Sequence, residues 1–111
     1  MKQTIKIFNT LSGKKDIIKP LKNKKIHLFV CGPTVYDFSH IGHARTYVFF
    51  DCFARYLKSL GYTVFYLQNI TDVDDKIISR AREKGVGAKD LAESFTKEHL
   101  KTMKELGITS V

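Results

Sequence analysis

The sequence predicts an α/β fold built on a parallel sheet, and three consecutive stretches carry that prediction. Residues 26–30 form a short run of β-branched and aromatic residues, which is typical of a buried strand. Residues 41–60 repeat apolar side chains at helical spacing, and residues 62–70 are again rich in β-branched and aromatic residues. A strand, a long helix and a second strand make a β-α-β unit, so the two strands are expected to be parallel.

The stretches on either side of this unit predict further elements. Residues 4–8 alternate enough for a first strand, and residues 9–25 predict a polar, exposed loop. Residues 74–84 predict a helix that stops at Gly85, and residues 89–106 predict a last helix. A chain of 111 residues has room for one small domain.

The long helix has a predicted start, a predicted end and a predicted buried face. Ser39 is the expected N-cap and Gly61 the expected terminator. Cys52 lies beside the apolar face and is expected to be a small buried hydrophobe. On the last helix, His99 stands among lysines and glutamates and is expected on the surface. The predicted buried face of the long helix consists of Phe49, Phe50, Phe53, Leu57 and Leu60.

The charge of the chain favours a polyanionic partner. Nineteen lysines and arginines face eleven acidic residues, which gives a net charge of +8. Six of the lysines crowd the loop predicted at residues 9–25: Lys14, Lys15, Lys19, Lys22, Lys24 and Lys25. For this loop itself, however, a lysine-rich surface that merely stays solvated is the favoured interpretation. No apolar run approaches about 20 residues and the start lacks a signal peptide, so a cytoplasmic protein without a membrane segment is expected.

A candidate nucleotide site lies where strand 26–30 leads towards the long helix. The strand ends at Cys31-Gly32-Pro33, and the helix begins near His40-Ile41-Gly42-His43. Ligands of open α/β sheets bind outside the carboxyl ends of the strands, and a helix N-terminus attracts phosphate. His40 and His43 share one helix face, while Gly42 lets a phosphate or a flat ring approach the backbone. Two solvated helix-cap histidines are the alternative interpretation.

Three aspartates, Asp72, Asp74 and Asp75, open the next predicted helix and suggest a divalent metal at first sight. The spacing fails as a calcium loop, because the required glycine and closing glutamate are missing. The favoured interpretation is a helix cap whose carboxylates face the positive end of the helix dipole.

Four segments together resemble the cysteinyl-tRNA synthetase family of class I aminoacyl-tRNA synthetases. They are residues 7–11 (IFNTL), 30–37 (VCGPTVYD), 40–43 (HIGH) and 69–76 (NITDVDDK). The resemblance implies a Rossmann-like nucleotide-binding fold in which residues 1–111 form the amino-terminal half of a catalytic domain. It also implies that ATP activates cysteine as cysteinyl adenylate, which is then transferred to tRNA(Cys).

The resemblance implies roles for individual residues. His40 and His43 would be catalytic and hydrogen-bond the phosphates of ATP, which would enter with Mg²⁺. Two further sets of residues would contact the substrates: Pro33, Thr34 and Gly42 for ATP, and Gly32, Tyr36, Thr71 and Asp72 for cysteine.

Cys31 has two opposed interpretations. A single cysteine at a strand end is more often structural, whereas the resemblance implies a zinc ligand. Zinc suits this role because an apolar pocket discriminates poorly between cysteine and serine, whereas zinc binds a thiolate at about 2.3 Å. A four-coordinate ion needs more ligands than Cys31. The resemblance implies that they, and a lysine-containing phosphate loop, come from later in a longer enzyme, so residues 1–111 alone are expected to be inactive.

The sequence leaves two other functions open. One is a sister ligase that activates cysteine in the same way but transfers it to an amino sugar in thiol biosynthesis. The other is a non-catalytic module that binds nucleic acid. The favoured expectation is a monomeric enzyme whose partners are tRNA(Cys), cysteine and ATP.

Overall fold

The computed structural model describes residues 4–111, which contain four strands and three helices. They are β1 (Lys6–Asn9), β2 (Lys14–Ile17), β3 (Lys25–Val30), α1 (Ile41–Ser59), β4 (Thr63–Gln68), α2 (Asp75–Lys84) and α3 (Ala88–Glu105). The strands form one antiparallel pair, β1 with β2, and one parallel pair, β3 with β4.

The unit formed by β3, α1 and β4 confirms the predicted β-α-β arrangement. The two strands pair in parallel over their full length, from Lys25 opposite Thr63 to Val30 opposite Gln68. Residues on one face of this sheet pack against the helices, since Val30 and Tyr66 share a buried cluster with side chains of α1 and α3. The other face, called the bare sheet face below, carries His27, Phe29, Phe65 and Leu67, all exposed in the described part of the chain.

The start of α1 differs from the prediction and its end agrees with it. The N-cap is His40 and not Ser39, because the His40 imidazole reaches the Gly42 N–H. At the other end Gly61 adopts a φ of 90°, and the Gly61 and Tyr62 N–H groups bond carbonyls of the last turn. A left-handed glycine that ends a helix in this way leaves no steric penalty.

The buried face of α1 is rotated from the predicted one. Its buried residues are Tyr47, Asp51, Ala54 and Leu57, whereas Phe49 is 57% exposed. Cys52 is exposed and so is not the buried hydrophobe that was predicted. Since α1 is apolar around much of its circumference, spacing alone does not decide which side meets the sheet.

Asp51 is the polar residue in this buried face, and its bonds explain its burial. Its carboxylate accepts hydrogen bonds from the Thr109 N–H at 3.1 Å and the Ser110 N–H at 2.9 Å, and it pairs with Arg55 at 2.8 Å. Burial opposes ionisation, but these bonds outweigh it and lower the pKa of Asp51. The carboxylate thereby fastens the segment after α3 to α1.

The prediction of a loop over residues 9–25 is wrong in part, because this stretch contains β2. Asn9 pairs with Lys14 and Lys6 with Ile17, which makes β1 and β2 a hairpin. Side chains brace its turn, since Ser12 Oγ and Asn9 Nδ2 bond the Asp16 carboxylate at 2.6 and 3.0 Å. The lysines of β2 hide the apolar alternation by which strands are recognised.

The second and third helices lie close to their predicted bounds. Asp74 caps α2, since its carboxylate accepts from the Lys76 N–H at 2.8 Å, which confirms the cap interpretation of the aspartates. Leu100, on α3, is 56% exposed. His99, predicted on the surface, is buried with 4% exposure. The two helices pack through a buried cluster of Val35, Ile77, Ala81, Leu91, Ala92 and Phe95.

Among residues 4–111, no helix has the combination of length and apolar character that crossing a membrane requires.

Candidate active site

The carboxyl ends of β3 and β4 continue side by side beyond the strands themselves. Thr34 and Thr71 form a parallel bridge, in which the Thr71 N–H bonds the Pro33 carbonyl at 3.0 Å. The Val35 N–H bonds the Thr71 carbonyl at 3.1 Å and extends the pairing by one step. The topology therefore brings Pro33 and Thr34 next to Thr71. Thr34 and Thr71 are 37 positions apart in the sequence.

Gly32 allows this close approach of the two strand ends. Its N–H donates to the Asn69 side-chain oxygen at 2.7 Å. A Cβ at this position would overlap the backbone carbonyl of Asn69 and stand 3.0 Å from the Gln68 Cγ. Sequence reasoning treated Gly32 as a substrate contact and missed this structural role. The signal was a glycine directly between a strand and a proline.

His40 and His43 cap α1 reciprocally with their rings. His40 Nδ1 accepts from the Gly42 N–H at 3.0 Å, and His43 Nδ1 accepts from the His40 N–H at 3.1 Å. The two ring centroids are 4.0 Å apart. An Nδ1 that accepts a hydrogen bond carries no proton, so the proton of each neutral ring lies on Nε2. The arrangement leaves two Nε2–H donors, held by the backbone, at the positive end of a helix.

Gly42 makes room for one of these rings. A Cβ on Gly42 would stand 2.8 Å from the Cε1 and 2.9 Å from the Nδ1 of His40. The absence of a side chain therefore permits the His40 cap itself. Its predicted contact with ATP remains a prediction.

Tyr47 supports the histidine pair from inside, and sequence reasoning missed it. Its ring stacks on His43 with centroids 6.1 Å apart and planes inclined by 22°. Burial, with Cys31 and Tyr66 nearby, raises the pKa of Tyr47 to about 12. Burial also lowers the pKa of His43, and the adjacent His40 lowers it further. The signal for Tyr47 was its position four residues after His43, on the same helix face.

Cys31 is an exposed free thiol at the end of β3. Its Sγ lies 3.7 Å from the Gly32 carbonyl oxygen. Within residues 4–111 no group of three or more His, Cys, Asp and Glu side chains could hold a metal ion. Cys31 by itself offers zinc one of the four ligands that it takes.

Tyr36 and Asp72, both predicted to contact cysteine, lie beside α2. Tyr36 is half-buried and packs against the α2–α3 cluster, with the Lys76 Nζ 5.6 Å from its ring centroid. Asp72 is exposed and lines a groove between α2 and α3. Tyr36 therefore contacts α2 and Asp72 borders the groove between α2 and α3, whereas Thr34 and Thr71 meet at the strand ends.

Comparison with known proteins agrees with this arrangement. A family model described as "tRNA synthetases class I (C) catalytic domain" matches residues 17–111. The cysteine–tRNA ligase of Thermoplasma acidophilum is 52% identical over 107 residues, which are 96% of this chain and 24% of the relative. The cysteine–tRNA ligase of Thermococcus kodakarensis is 55% identical over 104 residues, which are 94% of this chain and 22% of the relative.

The chain thus spans about a quarter of the length of the curated relatives it matches. The parallel pair β3–β4 with its crossover helix α1 agrees with the Rossmann-like α/β class that the sequence predicted. The family match and these identities show that the chain belongs to the class I tRNA synthetases, in the family of the cysteine-type catalytic domain.

Proposed function

We propose that the protein containing this chain is a cysteine–tRNA ligase. It would activate cysteine with ATP, release pyrophosphate and transfer the cysteinyl group to tRNA(Cys). Identities of 52% and 55% with ligases of that name support the substrates. One observation supports the chemistry above the others: the reciprocal cap of His40 and His43, which leaves the Nε2–H group of each ring as a fixed donor at the N-terminus of α1.

In the activation step, a carboxylate oxygen of cysteine attacks the α-phosphorus of ATP. An oxygen–phosphorus bond forms, the bond to the bridging oxygen of pyrophosphate breaks, and the leaving pyrophosphate keeps the electron pair. The protein forms no covalent intermediate in this scheme. Its contribution is to position the reactants and to stabilise the charge that moves on to the phosphate oxygens.

The two Nε2–H groups suit that task. A donor already held by its own cap does not reorganise as charge develops, and the N-terminus of α1 adds about half a positive charge behind it. Because the lowered pKa of His43 keeps it neutral at pH 7, its stabilisation of the phosphates comes from hydrogen bonding. We place Pro33, Thr34 and Gly42 beside the nucleotide on the same grounds of proximity to the strand end and the cap.

The cysteine substrate is assigned to the neighbouring strand end. Thr71 pairs with Thr34, and Gly32 bonds Asn69 two residues before Thr71. Thr71 and Gly32 border the position that we propose for the amino acid. Tyr36 and Asp72 would reach the amino acid from the side of α2. This assignment follows the family motifs.

We further propose that Cys31 is one ligand of a zinc ion, with the other ligands outside this chain. The exposed thiol fits, since zinc takes thiolate and the end of a strand leaves it accessible. When bound, zinc would favour a thiol substrate over a hydroxyl one. Mg²⁺ would accompany ATP, and the protein is proposed to act as a cytoplasmic monomer.

The test uses the full-length protein and measures ATP–pyrophosphate exchange. We expect exchange with cysteine and far less with serine, followed by acylation of tRNA(Cys). An absence of cysteine-dependent exchange would contradict the proposal. Transfer to an amino sugar and none to tRNA would replace it with the related thiol-biosynthesis activity.

Replacing Cys31 tests the zinc assignment on the same protein. In Cys31→Ser we expect a loss of bound zinc, measured by elemental analysis, together with poorer discrimination between cysteine and serine. The exposed Cys52→Ser serves as the matched control and should keep both the metal and the selectivity. Full zinc and full selectivity in Cys31→Ser would exclude the assignment.

A further inference from the structure

We propose that His99, on α3, is a positioning residue for the histidine pair at the start of α1. It would act through two contacts, one with the Ser39 hydroxyl and one with the Tyr47 ring. This inference rests on the proposed function for its kinetic test, and it assigns work to a residue outside the motif.

The first contact reaches the residue just before the cap. Ser39 Oγ and His99 Nδ1 are 3.3 Å apart, although 60 positions separate the two residues. Ser39 is adjacent to His40, the N-cap of α1. A bond to Ser39 therefore restrains the backbone from which the His40 ring is placed.

The second contact reaches the other ring of the pair from behind. The edge of one ring meets the face of the other between His99 and Tyr47, with centroids 5.6 Å apart and planes at 76°. Tyr47 in turn stacks on His43. His99 thus contacts Ser39, which precedes His40, and Tyr47, which stacks on His43. Through these two residues it acts on both rings of the pair.

Because His99 is buried, losing its hydrogen bond should be energetically costly. The side chain is 4% exposed and Tyr47 is also 4% exposed, so water does not easily replace either contact. Burial lowers the pKa of His99, and nearby His43 lowers it further, so the ring is neutral at pH 7. A neutral ring that loses a buried hydrogen-bond partner leaves a polar atom unsatisfied, which is costly.

A merely structural histidine would give a different pattern. Other buried residues of α3, such as Leu91, Phe95 and Met103, are apolar, and their burial stabilises the packing of the helix. An imidazole at this position adds a hydrogen bond to Ser39, the residue before the N-cap of a different helix. This is the property that separates positioning from packing.

The experiment compares three variants of the full-length protein in cysteine-dependent ATP–pyrophosphate exchange. His99→Phe keeps a ring against Tyr47 and removes Nδ1, Ser39→Ala removes the hydroxyl, and the third variant combines both. We expect each single variant to lower kcat about tenfold, with the KM for ATP and for cysteine within about twofold of wild type. Because both changes remove the same hydrogen bond, we expect the kcat of the double variant to lie within about twofold of the kcat of the less active single variant.

Met103→Ala is the matched control. Met103 lies one turn further along α3, is similarly buried and shares a cluster with Tyr47, but it makes no polar contact to Ser39. Below its melting temperature it should retain the wild-type kcat. A wild-type kcat in His99→Phe, an equal loss in Met103→Ala, or multiplied losses of about a hundredfold in the double variant would each overturn the proposal.

A second readout is independent of the reaction. With ¹³C-labelled histidine, the ring Cε1–H resonances of His40 and His43 should shift in His99→Phe and stay in place in Met103→Ala. Unchanged resonances would overturn the positioning role. If wild-type protein shows no exchange, the proposed function fails, while the resonances still decide the role of His99.

Discussion

The strand-end site and the bare sheet face belong to the same two strands, yet they are held in different ways. At the site, Gly32, Thr34 and Thr71 are fixed by backbone hydrogen bonds and by one missing Cβ. On the bare sheet face, Phe29 and Phe65 lie 59% and 60% exposed and make no such bonds with their side chains. Close backbone packing limits which side chains fit at the site. The bare sheet face consists mainly of exposed apolar side chains and has no such limit.

The difference shows where substitutions should matter. A side chain added at Gly32 has no room, since its Cβ would overlap the backbone carbonyl of Asn69, which cannot rotate aside. Within the described residues, the exposed aromatic side chains of the face are free to adjust.

The largest expected effect is that of Gly32→Ala. The new Cβ would overlap the Asn69 carbonyl, so the strand ends must separate and lose the hydrogen bond of Gly32. We expect the free energy of unfolding, measured with urea on the full-length protein, to fall by about 3 kcal/mol or more.

Gly13→Ala is its control, because that glycine has a φ of 71° but open space around it. Only the backbone penalty of about 1 kcal/mol should appear there. Equal losses in the two variants would show that the close approach at Gly32 is unimportant.

Replacing the histidines compares the two regions directly. His43→Ala removes one of the two fixed donors, and we expect kcat of pyrophosphate exchange to fall by roughly 10²–10³-fold. His27→Ala, on the bare sheet face, should leave kcat unchanged. A comparable loss in His27→Ala would remove the functional distinction between the regions.

Gly42→Ala should separate stability from activity. Alanine favours a helix by about 1 kcal/mol over glycine, which offsets the cost of about 1 kcal/mol for losing a helix cap, so the melting temperature should change little. The added Cβ displaces the His40 ring from its cap, and we expect kcat to decrease about tenfold. Thermal unfolding and exchange kinetics on one preparation test both parts, and unchanged kcat would contradict the proposed importance of the cap.

Acidification should have the smallest effect. Burial lowers the pKa of both His43 and His99, so between the folded and unfolded pKa values the unfolded chain binds more protons. Stability is therefore fully present above about pH 6.5 and is lost as the pH falls below it. Urea unfolding at pH 7.5 and 5.5 should show the loss.

The pH effect should become smaller in His99→Phe and remain in His27→Ala. The pKa of Asp51 is also lowered, but from an ordinary value of 3.8, so Asp51 titrates below this range. A stability that does not change between pH 7.5 and 5.5 would contradict the lowered pKa of both rings.

Elements with a strong local pattern could be predicted from the sequence. Strands β3 and β4 and helices α1, α2 and α3 agree within one or two residues, because apolar spacing and terminating glycines are local signals. Strand β2 was missed, since its lysines suppress the alternation and its turn depends on Asp16.

The geometry around the candidate site was predicted as far as topology alone could determine it, while the roles of its residues stay predictions. The parallel pair brings Thr34 and Thr71 together, and the helix start holds His40 and His43. The surroundings of the site depend on tertiary packing, which the pattern does not contain. The positions of Cys52 and His99 were therefore wrong, because they depend on which sides of α1 and α3 face the sheet.

The hydrogen bond from Gly32 to Asn69 also sets an order of events during synthesis. The partners are 37 residues apart, so at about 5–20 residues per second the ribosome makes the second some 2–7 seconds after the first. Until then the end of β3 has no neighbour, and the nascent site stays open while α1 is already complete. Protection of the Gly32 amide from hydrogen exchange therefore marks the moment at which the β-α-β unit closes.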